Sequence, residues 1–134
     1  MNRIILDTNA LSLFFGGDNQ KIQKIVGEAD LVIISPIVLG EVLTGFRLGT
    51  KEEANRKLLK DFLAEDVTEI IDLSYKTAEI YSRVKVLLKN KGQMVPTNDL
   101  WIAAQAIETK SILVSLDDHF RYIPDLPLWD LTKL

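Results

Sequence analysis

Three short runs of apolar residues stand out along the chain: IIL at Ile4–Leu6, LVII at Leu31–Ile34 and ILVS at Ile112–Ser115. Each is continuous rather than alternating, the pattern of a strand covered on both faces. Val67–Ile71 predicts a further strand. LPLWDL near the C-terminus predicts a short edge strand. Between these runs the apolar spacing changes to that of helices. Asp7 or Thr8 caps a helix over Ala10 to Phe15, which Gly16 and Gly17 end. A second short helix covers Asn19–Glu28. Ser35 followed by Pro36 is a helix start, and that helix runs through Glu41 to Leu48. TKEE at Thr50 to Glu53 reads as a capping box for a helix with Ala54, Leu58, Leu59, Phe62 and Leu63 on one face. A long helix from Ser74 to Lys91 carries the stripe Ala78, Tyr81, Val84 and Leu88 and stops at Gly92. Thr97 or Asn98 caps a last helix over Asp99–Thr109.

Short buried strands alternating with helices define an α/β fold: a three-layer α/β/α sandwich around a mainly parallel sheet. With 134 residues and 47% hydrophobic content, the chain is read as one domain, 1–134, with a sizeable core. A net charge of −3 means that a polyanionic substrate needs a local basic patch or bridging cations. The absence of cysteine excludes disulfides and thiolate metal sites. No stretch approaches a membrane span, and Asp7 and Asn9 interrupt the only N-terminal apolar run, so a cytoplasmic location is expected.

The polar residues at the strand ends carry the chemistry. Asp7 closes the first run and Asp117 lies just past ILVS. Glu41 sits two turns into the helix after LVII, and Asp99 lies in the first turn of the last helix. In a parallel sheet the ligand site lies outside the carboxyl ends of the strands, so these four acids can converge. Each has a plainer explanation alone. Asp7 serves as a helix cap, Asp99 complements a helix dipole, Asp117 occupies a turn, and Glu41 is an exposed helix residue. As a set they repel: two charges about 5 Å apart at an effective dielectric of ~20 cost roughly 3 kcal/mol. A divalent cation resolves that repulsion. Mg²⁺ or Mn²⁺ takes hard oxygen ligands and keeps positions open for a phosphate, and the chemistry that follows is phosphodiester hydrolysis.

The same residues lie in motifs that resemble the PIN-domain nucleases, and within them the VapC-type toxins of toxin–antitoxin modules. The anchors are ILDTNAL at Ile5–Leu11, ISPIVLGEVLTG at Ile34–Gly45, PTNDLWIAA at Pro96–Ala104 and ILVSLDDHFRYIPDL at Ile112–Leu126. Their order and spacing match over the whole length. The resemblance implies that Asp7, Glu41, Asp99 and Asp117 form a catalytic, metal-binding quartet supported by Thr8, Asn9 and Ser115. It implies a Mg²⁺- or Mn²⁺-dependent ribonuclease, a homodimer, a cognate antitoxin that inserts near the active site, and a sheet of order 3-2-1-4-5. Leu116 departs from the polar or basic residue often found before the last acid. Asp118 is an alternative ligand to Asp117, which holds the motif register.

Other residues add less. His119, the single histidine, reads as a solvated or hydrogen-bonded loop residue rather than a catalytic one. Arg121, four residues after Asp117, is the candidate phosphate contact. The basic residues of Arg47–Lys60 and Arg83–Lys91 read as solvated helix faces. Trp101 reads as core or dimer contact. Two further functions compete with the toxin: a non-catalytic module of the same fold that binds RNA or protein, and a solitary RNA-processing nuclease. A dehalogenase-type phosphatase wants a second Asp two residues after the first, where this chain has Asn9. The glycine fingerprints of nucleotide-binding folds are missing. One metal held by Asp7, Asp99 and Asp117 with Glu41 acting on water, or two metals sharing the quartet, both fit the residues.

Overall fold

A computed structural model describes residues 2–131. Five strands form one parallel sheet: β1 (Arg3–Leu6), β2 (Leu31–Ile34), β3 (Thr68–Ile70), β4 (Ile112–Ser115) and β5 (Leu128–Asp130), in the order β3-β2-β1-β4-β5. The helices are α1 (Thr8–Gly16), α2 (Gln20–Gly27), α3 (Pro36–Leu48), α4 (Glu52–Leu63), α5 (Tyr75–Asn90) and α6 (Thr97–Thr109). Among the described residues no helix is long and apolar enough to cross a membrane.

The continuous apolar runs lie where two-sided burial is greatest. β1 is central, with Ile4 opposite both Val32 and Ile112. Ile4, Ile5, Leu6, Val32, Ile33, Ile34, Leu113 and Val114 are fully buried. The two edge strands are shorter and more exposed. Val67 stays outside β3, and Val67 and Ile70 are both exposed. Right-handed crossovers fix the layers. The steps β1–β2 and β2–β3 run one way along the sheet and put α1 to α4 on one face. The return from β3 to β4 puts α5 and α6 on the other. α1 packs on α2 and α3, and α5 packs on α6.

The helix starts decide which side chains reach the sheet edge. Ser35 caps α3 by accepting the Ile37 N–H at 3.1 Å, with Pro36 in the first turn. Gly17 ends α1 at φ +79°, a left-handed conformation that glycine adopts without a Cβ penalty. Three expectations are corrected. The Thr50 capping box does not form, because α4 starts one residue later with Lys51 at the cap. Within the first turns of α4, Glu52 pairs with Arg56 at 2.8 Å. Leu59 is the buried residue of α4, while Ala54 and Leu58 face solvent. Neither Thr97 nor Asn98 caps α6, whose cap position is Pro96.

On α5 the buried stripe is Thr77, Ile80, Val84 and Leu88 rather than one through Ala78. Ser74 and Thr77 form a reciprocal capping box there, and both hydroxyls donate to Glu108 of α6, which turns this face inward. Trp101 stacks on Tyr81 with ring centroids 4.1 Å apart, so it serves the α5–α6 contact.

Candidate metal centre at the carboxyl edge of the sheet

Asp7 is the deepest of the four acids, at 4% exposure. It follows the central strand directly, and its own N–H extends the ladder to Val114 O at 3.3 Å. It is also the α1 cap: Oδ1 accepts the Ala10 N–H at 2.8 Å. The cap reading is therefore realised on one oxygen of the side chain, and the other oxygen faces β4. Oδ2 accepts the Ser115 hydroxyl at 2.5 Å, and Ser115 Oγ in turn accepts the Asp117 N–H at 2.8 Å. Ser115 thus joins the ends of β1 and β4.

Asp99 stands in the first turn of α6, partly buried. Glu41 projects from α3 and is held by Thr8, whose hydroxyl donates to Glu41 Oε1 at 2.5 Å. Asn9 is exposed on the first turn of α1, outside this network. A cavity of about 580 Å³ opens beside Glu41, lined also by Pro36, Ile37, Gly40, Thr44 and Asn98.

The electrostatics show that the acids act on one another. Burial is the main cause that pushes Asp7 up to about 6. The bonds from Ser115 and Ala10 oppose it, and the charges of Asp99 and Asp117 add to it. Asp99 is also raised, first by burial; His119 opposes the shift, and Asp117 and Glu41 reinforce it. All four carboxylates therefore contribute to one local field.

His119, read as a solvated or hydrogen-bonded loop residue, is hydrogen-bonded and bridges two of the acids. Its Nε2 lies 2.8 Å from Asp99 Oδ2 and its Nδ1 lies 2.6 Å from Asp117 Oδ1. It bridges two acids 18 positions apart in the chain, and one ligand atom from each of the three residues lies within 4.8 Å of the others. The local clue was its place two residues after Asp117, at the start of the turn Asp118–Tyr122. The contact to Asp99 is tertiary and leaves no local trace.

Arg121 is engaged elsewhere: its guanidinium meets Asp118 Oδ2 at 2.5 Å and lies over the Tyr122 ring. That pairing also occupies Asp118. Leu116, the departure from the motif, packs against the core.

Carboxylates with a single imidazole, pressed together at the carboxyl edge of a parallel sheet, form a donor set suited to a hard or borderline divalent cation. The fold and this edge site define a class of α/β proteins that gather acidic ligands where the central strands end. Within that class the chain belongs to the PIN-domain family, whose model matches residues 4–126. It is 36% identical over 110 residues to the ribonuclease VapC2 of Rickettsia felis, covering 80% of this chain and 81% of that protein. It is 28% identical to the ribonuclease VapC1 of Haemophilus influenzae, covering 96% and 98%. Among solved structures, VapBC2 from Rickettsia felis bound to a promoter DNA fragment superposes with a TM-score of 0.84 at 30% identity, covering 96% of this chain and 98% of that one.

Proposed function

We propose that the protein is a divalent-metal-dependent endoribonuclease, the toxin of a toxin–antitoxin pair, working through Asp7, Glu41, Asp99 and Asp117. The observation that carries this reading is the gathering of the acids at one edge, where burial first, and then the charges of neighbouring acids, raise both Asp7 and Asp99. Asp7, Asp99 and Asp117 hold Mg²⁺ or Mn²⁺. The ion, when bound, screens charge developing on the phosphoryl oxygens and makes water a better nucleophile.

The chain's own groups do the rest. Ser115 and the Ala10 N–H fix both oxygens of Asp7. Thr8 occupies Glu41 Oε1 and leaves Oε2 open to take a proton from the attacking water. The cavity beside Glu41 receives the RNA strand, with Thr44 and Asn98 as polar contacts. Arg121, exposed and on the same turn as His119, exchanges Asp118 for an RNA phosphate. A cognate antitoxin, a homodimer, a single domain over 1–134 and a cytoplasmic location belong to the same reading. The VapC relatives and the VapBC complex support it.

The test is cleavage of a fluorescent RNA pool by the purified, antitoxin-free chain with Mg²⁺ or Mn²⁺, with chelator, and with Asp99→Asn. Cleavage that needs metal and is abolished by the substitution is the expected result. Metal-independent cleavage, or full activity in Asp99→Asn, overturns it.

A further inference from the structure

We propose that His119 is itself a ligand of the catalytic cation, through Nε2, and that this nitrogen makes the site select Mn²⁺ over Mg²⁺. The inference rests on the metal-dependent reading above and adds a donor to it. Three observations support it.

The first is orientation. Asp117 Oδ1 lies 2.6 Å from His119 Nδ1 and accepts the His119 backbone N–H at 3.4 Å. A carboxylate beside Nδ1 helps hold the ring with Nε2 turned to Asp99, as neighbouring carboxylates generally hold histidine ligands toward metals. Asp117 Oδ2 is left over for the ion.

The second is distance. Nε2 lies 2.8 Å from Asp99 Oδ2. Adjacent ligands in an octahedral shell with bonds of about 2.1 Å are about 3.0 Å apart. The two atoms are therefore already spaced as neighbouring ligands of one ion.

The third is rigidity. The ring is mostly buried, with 21% of its side chain exposed, and packs against Phe120, which is fully buried. Rotating it out of the site would break both acid contacts and this packing.

A nitrogen donor changes which ion is preferred. Mg²⁺ takes oxygen ligands almost exclusively, whereas Mn²⁺, which also favours oxygen, opens the first-row series whose affinity for nitrogen donors rises from it. Carboxylates alone would discriminate weakly between the two ions, so the single imidazole is the selecting group.

The experiment is pulsed electron paramagnetic resonance on the tag-free full chain loaded with Mn²⁺. This chain has one histidine, so ¹⁵N-histidine labelling assigns any imidazole coupling to His119. Nitrogen modulation on the bound Mn²⁺ that changes with the label is the expected result. Competition titration should also show Mn²⁺ bound more than tenfold tighter than Mg²⁺, with that ratio reduced about tenfold in His119→Asn. Bound Mn²⁺ without histidine coupling overturns this inference and leaves the nuclease reading intact. No Mn²⁺ binding at millimolar concentration overturns both. The wild-type spectrum decides the point even if His119→Asn folds poorly.

Discussion

Ser115 Oγ donates to Asp7 Oδ2 at 2.5 Å while accepting the Asp117 N–H at 2.8 Å, so one hydroxyl sets the spacing of two site acids. Ser115→Ala removes a charge-assisted bond from a buried carboxylate. The bond lowers the Asp7 pKa, so its loss moves that pKa above about 6. The variant is expected to lose about 1–2 kcal/mol of stability at neutral pH and to cleave RNA about tenfold more slowly. Urea denaturation and single-turnover cleavage measure the two effects.

Asp7→Asn separates stability from function. Asp7 has a folded pKa of about 6 against an ordinary 3.8, so the folded state binds the proton more tightly than the unfolded state. Above pH 6 the fold therefore carries the cost of an ionised, buried Asp7. That cost appears as pH rises from about 4 to about 6. A shift of this size is worth about 3 kcal/mol, and the weakened Ser115 bond takes back about 1. Without metal, Asp7→Asn is expected to be about 2 kcal/mol more stable than wild type at pH 7 and about equal to it near pH 4. Denaturation across that range in chelator checks the sign. Added Mn²⁺ should stabilise wild type and not the variant.

Thr8→Val tests the positioning of Glu41. The substitution keeps shape and removes the hydroxyl that holds Oε1. Cleavage is expected to fall about tenfold while stability changes by less than about 1 kcal/mol. A kcat loss at constant KM would fit a role in the chemistry rather than in RNA binding.

Arg121→Ala addresses substrate contact. The guanidinium is solvent-exposed and paired with Asp118, so melting temperature should hardly move. If the arginine meets RNA phosphate during the reaction, KM rises several-fold, kcat stays, and the salt dependence of binding weakens. An unchanged KM would remove Arg121 from the substrate path.

The parts of the fold legible in the sequence are those fixed by two-sided burial. The runs at Ile4–Leu6, Leu31–Ile34 and Ile112–Ser115 are strands because every side chain in them has somewhere apolar to go. The Ser35–Pro36 start was legible because its chemistry is local. The errors fell where tertiary contacts choose among local options. TKEE was a sound capping box in isolation, yet the helix began a residue late, with Lys51 at the cap and no side-chain cap bond. The α5 stripe turned because Glu108, 31 positions from Thr77, reaches its hydroxyl. At the site, the spacing of the acids suggested their convergence, since strand ends in a parallel sheet share an edge. His119 could not be read the same way. Its local setting is a short turn, and its partner Asp99 is supplied by a helix from the other side of β4.

The pairing of β1 with β4 also dictates when the site can exist during synthesis. Ser115 and Asp7 are 108 positions apart, and the first strand cannot complete its pairing until the fourth has been made. A ribosome-bound chain that has not yet released residues 112–117 holds Asp7 beside an open sheet edge, with no Ser115 to orient it and no Asp117 or His119 to complete the cluster. The acids of this molecule are brought together only after β4 and the turn that follows it have been made. A fragment ending before β4 is thus expected to carry Asp7, Glu41 and Asp99 without the residues that join them to Asp117 and His119.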